Sequence, residues 1–104
     1  MLGLDPGSRI TGYGVIEIAG RGTVYVASGS IRPAASDLPA RLAEIHRQVA
    51  LLVTEYAPEE LAVERVFARS DSSTVMGTAQ ASGIAMVAAA RRGLPLALHT
   101  PSEV

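Results

Sequence analysis

The apolar positions of the chain change period along its length. Leu2 and Leu4 alternate with Gly3 and Asp5, so Leu2–Asp5 reads as a short strand, cut off by Pro6-Gly7. Thr11–Ile18 (TGYGVIEI) holds β-formers in partial alternation. Gly20-Arg21-Gly22 then reads as a hairpin connection, and Thr23–Ile31 (TVYVASGSI) as the returning strand. The first third of the chain is expected to be a three-stranded antiparallel meander, followed by a loop over Arg32–Ser36. From Asp37 the period becomes helical. Leu38, Leu42, Ile45, Val49, Leu52, Val53 and Tyr56 recur three or four apart and define one apolar face. Asp37 fits an N-cap, Pro39 is tolerated in the first turn, and Pro58 stops the helix.

Glu60–Glu64 (ELAVE) reads as a short strand of the kind buried on both faces, and it ends in a carboxylate. The polar loop RVFARSDSS follows and holds the only Phe of the chain. An Ala-rich helix is expected from about Ser72 to Arg92, with Val75, Met76, Ala79, Ile84, Val87 and Ala88 facing inward. Gly77 and Gly83 each cost roughly 1 kcal/mol against Ala in a helix, and close packing on a sheet or another helix is their expected reason. Gly93 ends the helix, and Leu94–Leu98 (LPLAL) is the last strand. Thr100-Pro101-Ser102-Glu103 has the form of a helix start closed by a capping box, and the sequence stops one residue later. The order β-β-β-α-β-α-β describes a mixed α/β sheet in one domain, residues 1–104, incomplete at its C-terminus.

Composition narrows the chemistry. One hundred and four residues form one domain, and 48% hydrophobic residues suit a globular fold. No apolar run reaches the roughly 18 residues that span a bilayer, and the N-terminus lacks the pattern of a signal peptide, so no membrane partner is expected. There is no cysteine, which removes disulfides and thiolate metal sites and suits a cytoplasmic protein. His46 and His99 are far apart and lack ligand spacing, so a histidine zinc site is not expected. The net charge of −1 decides nothing about nucleic acid. All nine basic residues are arginine, which favours bidentate contacts to phosphate or carboxylate.

Two apolar strands end in carboxylates, LGL in Asp5 and LAV in Glu64. If the strands are parallel neighbours, both acids lie at the carboxyl edge of the sheet, where open α/β sheets bind ligands. Two like charges held close require a proton, a pairing arginine or a divalent cation. Oxygen ligands alone point to Mg²⁺ or Mn²⁺ rather than zinc. Gly7 and Gly12 would let backbone approach a phosphate or metal, and Ser8 and Thr11 offer hydroxyls. Phe67 is a candidate for stacking or wedging beside a phosphate-binding rim of Arg9, Arg65 and Arg69. The plainer alternatives stand beside these: a turn-former or cap for each acid, a core Phe, solvated arginines.

DPGSRITGYG, then VERVF, then MGTAQASG opening a long helix, resemble the RuvC Holliday-junction resolvases of bacteria, in order and with family spacing. The resemblance implies a ribonuclease H-like fold, a five-stranded mixed sheet with helices on both sides. It implies a structure-selective endonuclease that cuts four-way junction DNA during recombination and repair, by two-metal hydrolysis of phosphodiesters. Asp5 and Glu64 match the first two of four catalytic, metal-holding acids. Phe67 matches the aromatic that engages bases at the crossover, and Ser8, Arg9, Arg65 and Arg69 fall with it on the DNA side. The helix from about Ser72 matches the one that helps form a homodimer. By the same resemblance the partners include the RuvA–RuvB branch-migration motor, and the location is the bacterial cytoplasm at the nucleoid. The family's other two acids lie on a later helix, past Val104; neither Asp71 nor Glu103 matches them. The 104-residue chain is therefore expected to bind Mg²⁺ weakly and not to cleave. Two further readings remain open: an actin-like or sugar-kinase-type phosphate-binding domain, since DPGSRITG also resembles their first phosphate loop, and a non-catalytic nuclease-like dimerisation or DNA-binding module.

Overall fold

The computed structural model describes residues 1–64 and 72–99. Within them the order is β1 (Leu2–Asp5), β2 (Thr11–Ala19), β3 (Gly22–Ile31), α1 (Leu38–Tyr56), β4 (Leu61–Glu64), α2 (Ser72–Ala90) and β5 (Leu96–His99). The strands form one five-stranded sheet in the order β3-β2-β1-β4-β5. The first three strands pair antiparallel, while β4 runs parallel to both β1 and β5. The expected meander and the mixed sheet are both present.

The hairpin turn needs only two residues, Gly20 and Arg21, because Ala19 already pairs with Gly22. Gly20 takes φ +61 and Arg21 does not go positive, the pattern of a turn whose twist suits a hairpin when glycine stands first. The edge strand β3 would be left thin at Gly29, but the Tyr13 ring opposite lies over it, so that a β-carbon there would sit 2.7 Å from the phenol oxygen.

One core lies between the sheet and both helices. Leu2, Leu4, Val15, Ile31, Leu61 and Val63 rise from one face of the sheet. Ile45, Val49, Leu52 and Val53 descend from α1, and Ala81, Ala85, Ala88 and Ala89 from α2. The described helices thus form one layer. On the other face, β1, β2, β4 and β5 present Gly3, Gly12, Gly14, Ala62 and Ala97, none of them fully buried. Among the described residues, helix covers β4 on the Leu61 and Val63 face.

The face of α1 is the one its period predicts. The face of α2 is not. Met76 is 60% exposed and Val87 48%, whereas the four alanines are buried. A helix that is apolar all round has no period to read, and the layer between α2, α1 and the sheet is thin enough to select the smallest side chains. Gly77 is buried and explained by contact, as expected. Gly83 is not: a β-carbon there would meet nothing within 4 Å. The strand β5 starts two residues later than LPLAL suggests, because α2 ends in a Schellman turn. There the Leu94 amide donates to the Ala89 carbonyl at 3.0 Å and Gly93 takes φ +71. The predicted helix start at Thr100 lies outside the described residues.

The ends of α1 are less well made. Asp37 occupies the N-cap position, yet its side chain makes no capping hydrogen bond. At the other end Ala57 takes a left-handed conformation, φ 45, while its amide donates to the Val53 carbonyl at 3.0 Å. A β-carbon is strained there, and glycine is not. Ala57→Gly is expected to raise stability by about 0.5–1 kcal/mol in urea unfolding, the relief of strain exceeding the entropy that glycine adds to the unfolded chain. A loss of stability would show that the left-handed turn carries no strain.

Candidate functional site

The site begins with register. In the parallel pairing of β1 and β4, Leu2 stands opposite Leu61, Gly3 opposite Ala62 and Leu4 opposite Val63. One further step brings Asp5 level with Glu64, on strands separated by about 4.8 Å. Glu64 in turn pairs with His99 of β5, and Asp5 pairs with Gly12 of β2. Side chains alternate along a strand, so positions 5, 64 and 99 share the face opposite to Leu4 and Val63. They form a row across the carboxyl ends of three parallel strands. Asp5 is exposed at this edge and rises from the glycine–alanine floor of that face.

The turn that follows Asp5 is tightly built. Pro6 is buried and Gly7 half-buried. A β-carbon on Gly7 would lie 2.5 Å from the Ile10 carbonyl oxygen, so glycine is required there by space. The Thr11 hydroxyl donates to the Gly7 carbonyl at 2.8 Å and accepts from the Gly7 amide at 3.2 Å. Thr11 is wholly buried. Its hydroxyl is thus spent on the turn, which corrects the expectation that it faces a phosphate or metal. Ser8 is half-buried, and its hydroxyl lies against α2 at Gly77, where a β-carbon would come within 2.7 Å of it. Arg9 is exposed on the same turn. Arg65, Phe67 and Arg69 lie outside the described residues, as does Asp71.

The structure therefore brings Asp5 level with Glu64 at the strand ends, with Ser8 and Arg9 on the turn that follows Asp5. Sequence reasoning missed two participants. One is the position of His99, weighed only as a zinc partner of His46, which the register pairs with Glu64. The other is Thr11 as the fastener of the turn. Only the strand order could have revealed His99, whereas a Thr four residues after an Asp-Pro-Gly turn is a local signal.

An exposed acid with a second acid one strand away offers oxygen donors to a hard cation. That suits Mg²⁺, which takes one or two carboxylates and completes its shell with water and phosphate. Among the described residues no group of three or more acids or histidines gathers into a closed cage. A second recess, of about 680 Å³, lies at the opposite end of the sheet and is lined by Glu17, Glu55, Tyr56, Glu59 and Glu60 among others. The charge of Glu55 raises the Tyr56 phenol above its ordinary range. Such an acidic recess repels phosphate, and it sits at the end of the strands where α/β sheets do not bind ligands. No helix among the described residues is long and apolar enough to cross a membrane.

A family model described as crossover junction endodeoxyribonuclease RuvC matches residues 1–104. The chain is similar to the crossover junction endodeoxyribonuclease RuvC of Nocardioides sp., 56% identical over 106 residues, covering all of the chain and 60% of that relative. It is also similar to that of Shewanella frigidimarina, 46% identical over 104 residues with the same coverage. Among solved structures it resembles Thermus thermophilus RuvC in complex with a Holliday junction substrate, with TM-score 0.87 and 25% identity over 97% of the chain and 64% of that protein. The chain thus spans about 60% of the length of the curated relatives it matches.

The turn after Asp5 yields a prediction. Gly7→Ala is expected to cost about 1–3 kcal/mol in thermal or urea unfolding, since the Ile10 carbonyl or the Thr11 hydrogen bonds must give way. A change under ~0.5 kcal/mol would show that the turn tolerates the shift.

Proposed function

The chain belongs to the RuvC family of crossover junction endodeoxyribonucleases, and from that membership we propose that the intact protein hydrolyses phosphodiesters symmetrically in four-way DNA junctions. The observation that carries the reading is the register step that brings Asp5 level with Glu64 at the carboxyl edge. Asp5 and Glu64 are the protein's ligands for a divalent cation, Mg²⁺ with Mn²⁺ as substitute. When bound, the cation activates water and neutralises charge on the scissile phosphate. The chain's own residues bind and orient. The exposed Arg9 pairs with a backbone phosphate. Arg65 and Arg69 extend that contact, Ser8 supports the turn, and Phe67 engages unstacked bases at the crossover. The glycine–alanine floor behind the acids leaves space for the DNA backbone to approach the edge.

Two symmetric cuts require two sites. We assign the second to another copy docked on the outer face of α2. Met76 and Val87 stand exposed on that helix, and its 19 residues, SSTVMGTAQASGIAMVAAA, include no charge. A face of that kind is unsuited to water alone. Resolution of junctions in the bacterial cytoplasm at the nucleoid, in concert with the RuvA–RuvB motor, belongs to the same reading. No particular observation favours nucleotide binding of the actin-like type, and the family match covers the full chain. A non-catalytic module of the same fold would bind junctions without cutting them, which the following assay separates.

In the intact protein, Asp5→Asn and Glu64→Gln are expected to lower Mg²⁺-dependent junction cleavage by at least about 100-fold while junction binding and folding persist. Phe67→Ala is expected to lose cleavage with the metal requirement unchanged. The 104-residue chain, assayed alongside, is expected to leave junctions uncut. Full cleavage by Asp5→Asn would remove the metal role from that residue. Independently, Val87→Asp is expected to shift the intact protein from dimer to monomer in sedimentation analysis, by burying an unpaired charge in the interface. An unchanged dimer would place the interface elsewhere.

A further inference from the structure

Asp5 occupies the last position of a strand, and a strand end is held only as firmly as the turn that follows it. That turn is fastened from two sides. From within, the buried Thr11 hydroxyl bonds both the amide and the carbonyl of Gly7. From outside, α2 presses on Ser8 at Gly77, the one position where the helix lacks a side chain against the turn. The hypothetical β-carbon at Gly77 would stand 2.7 Å from the Ser8 hydroxyl and 3.4 Å from its β-carbon. Gly77 is buried and Ser8 half-buried, so the space a β-carbon would need at residue 77 is held by the Ser8 hydroxyl. Ser8 is three residues from Asp5, and Gly12, the register partner of Asp5, directly follows Thr11. Displacement of the turn therefore reaches the carboxylate through a short, bonded path.

We infer that Gly77 and Thr11 are positioning residues for the Asp5 carboxylate: Thr11 locks the Pro6–Ile10 turn internally, and Gly77 sets how closely α2 may approach it. The inference rests on the assignment of Asp5 as a metal ligand. It adds that the distance between α2 and the β1 edge is itself set by a missing methyl group. Helix propensity and function then pull in opposite directions at residue 77. Alanine is the better helix former, yet its methyl group takes the space of the Ser8 hydroxyl, which must move. Misplacement of reacting groups by about 1 Å can cost about 100-fold in rate.

The test uses the intact protein with two readouts, Mn²⁺ binding by calorimetry without DNA and junction cleavage across a Mg²⁺ titration. Gly77→Ala is expected to weaken Mn²⁺ binding several-fold and to lower cleavage about 10- to 100-fold, without loss of thermal stability. Ser8→Gly, which removes the colliding atoms, is expected to restore Mn²⁺ binding, read without DNA, in the double variant. Thr11→Val, equal in volume but without the hydroxyl, is expected to weaken Mn²⁺ binding in the same sense and to speed hydrogen exchange at the Gly7 amide. Thr11→Ser is expected to restore both. Wild-type Mn²⁺ binding and cleavage in Gly77→Ala would overturn the inference. So would a loss of Mn²⁺ binding that Ser8→Gly fails to rescue, since the cause would then lie elsewhere in the helix. Asp5→Asn serves as reference: if it too binds Mn²⁺ and cleaves normally, the site assignment has failed, whereas a dead Asp5→Asn beside an unaffected Gly77→Ala rejects only the positioning role.

Discussion

The parallel pairing of β1 with β4 is the constraint on which the rest depends. Leu2 against Leu61 and Leu4 against Val63 bury four side chains on one face of the sheet. Side chains in a strand alternate, so a slip of either strand by one residue would turn both of its core side chains to the other face. Burial of each large aliphatic side chain is worth about 1.5–3 kcal/mol, which fixes the register firmly. The same register settles where the next residue of each strand falls. Asp5 and Glu64 are brought level by the apolar residues that precede them, not by any attraction of their own.

How much of this could be read in the chain follows from where the information is local. The strand Leu2–Asp5, the hairpin at Gly20, the apolar face of α1 and the stop at Gly93 each rest on a few adjacent residues, and each is present in the structure. The family motifs DPGSRITGYG and VERVF pointed to Asp5 and Glu64, and strand order supplied the reason that they meet. The inner face of α2 was misjudged because Val75, Met76 and Val87 look like core residues in isolation. Ala88 and Ile84 do face the core as expected, but the available space favoured Ala81, Ala85 and Ala89 over Met76 and Val87. His99 was invisible as a neighbour of Glu64 for a similar reason: parallel strands are joined by a long crossover, so proximity along the chain says nothing about proximity in the sheet. Gly77 was rightly suspected of close packing, but its partner, Ser8, could not be known without the fold.

The two faces of the sheet differ in kind. One is filled with aliphatic side chains and closed by α1 and α2. The other is paved with Gly3, Gly12, Gly14, Ala62 and Ala97 and carries Asp5 at its rim. The acidic recess around Glu17, Glu55, Glu59 and Glu60 at the other end of the strands adds a polarity along the sheet, with the arginine-bearing turn at the far edge.

The hairpin of β2 and β3 has a colloidal consequence. Among the described residues β3 pairs only with β2, so its ten residues, GTVYVASGSI, line one border of the sheet. They include neither a charge nor a proline, and Val24, Tyr25 and Val26 are exposed. Unpaired strand borders of that composition recruit other strands unless something blunts them. What blunts this one is the irregularity between Val15 and Ile16, where the pairing jumps from Ala27 to Tyr25 and the ribbon twists. One displaced residue, Val26, thus breaks the regular ladder along this border and sharpens its twist.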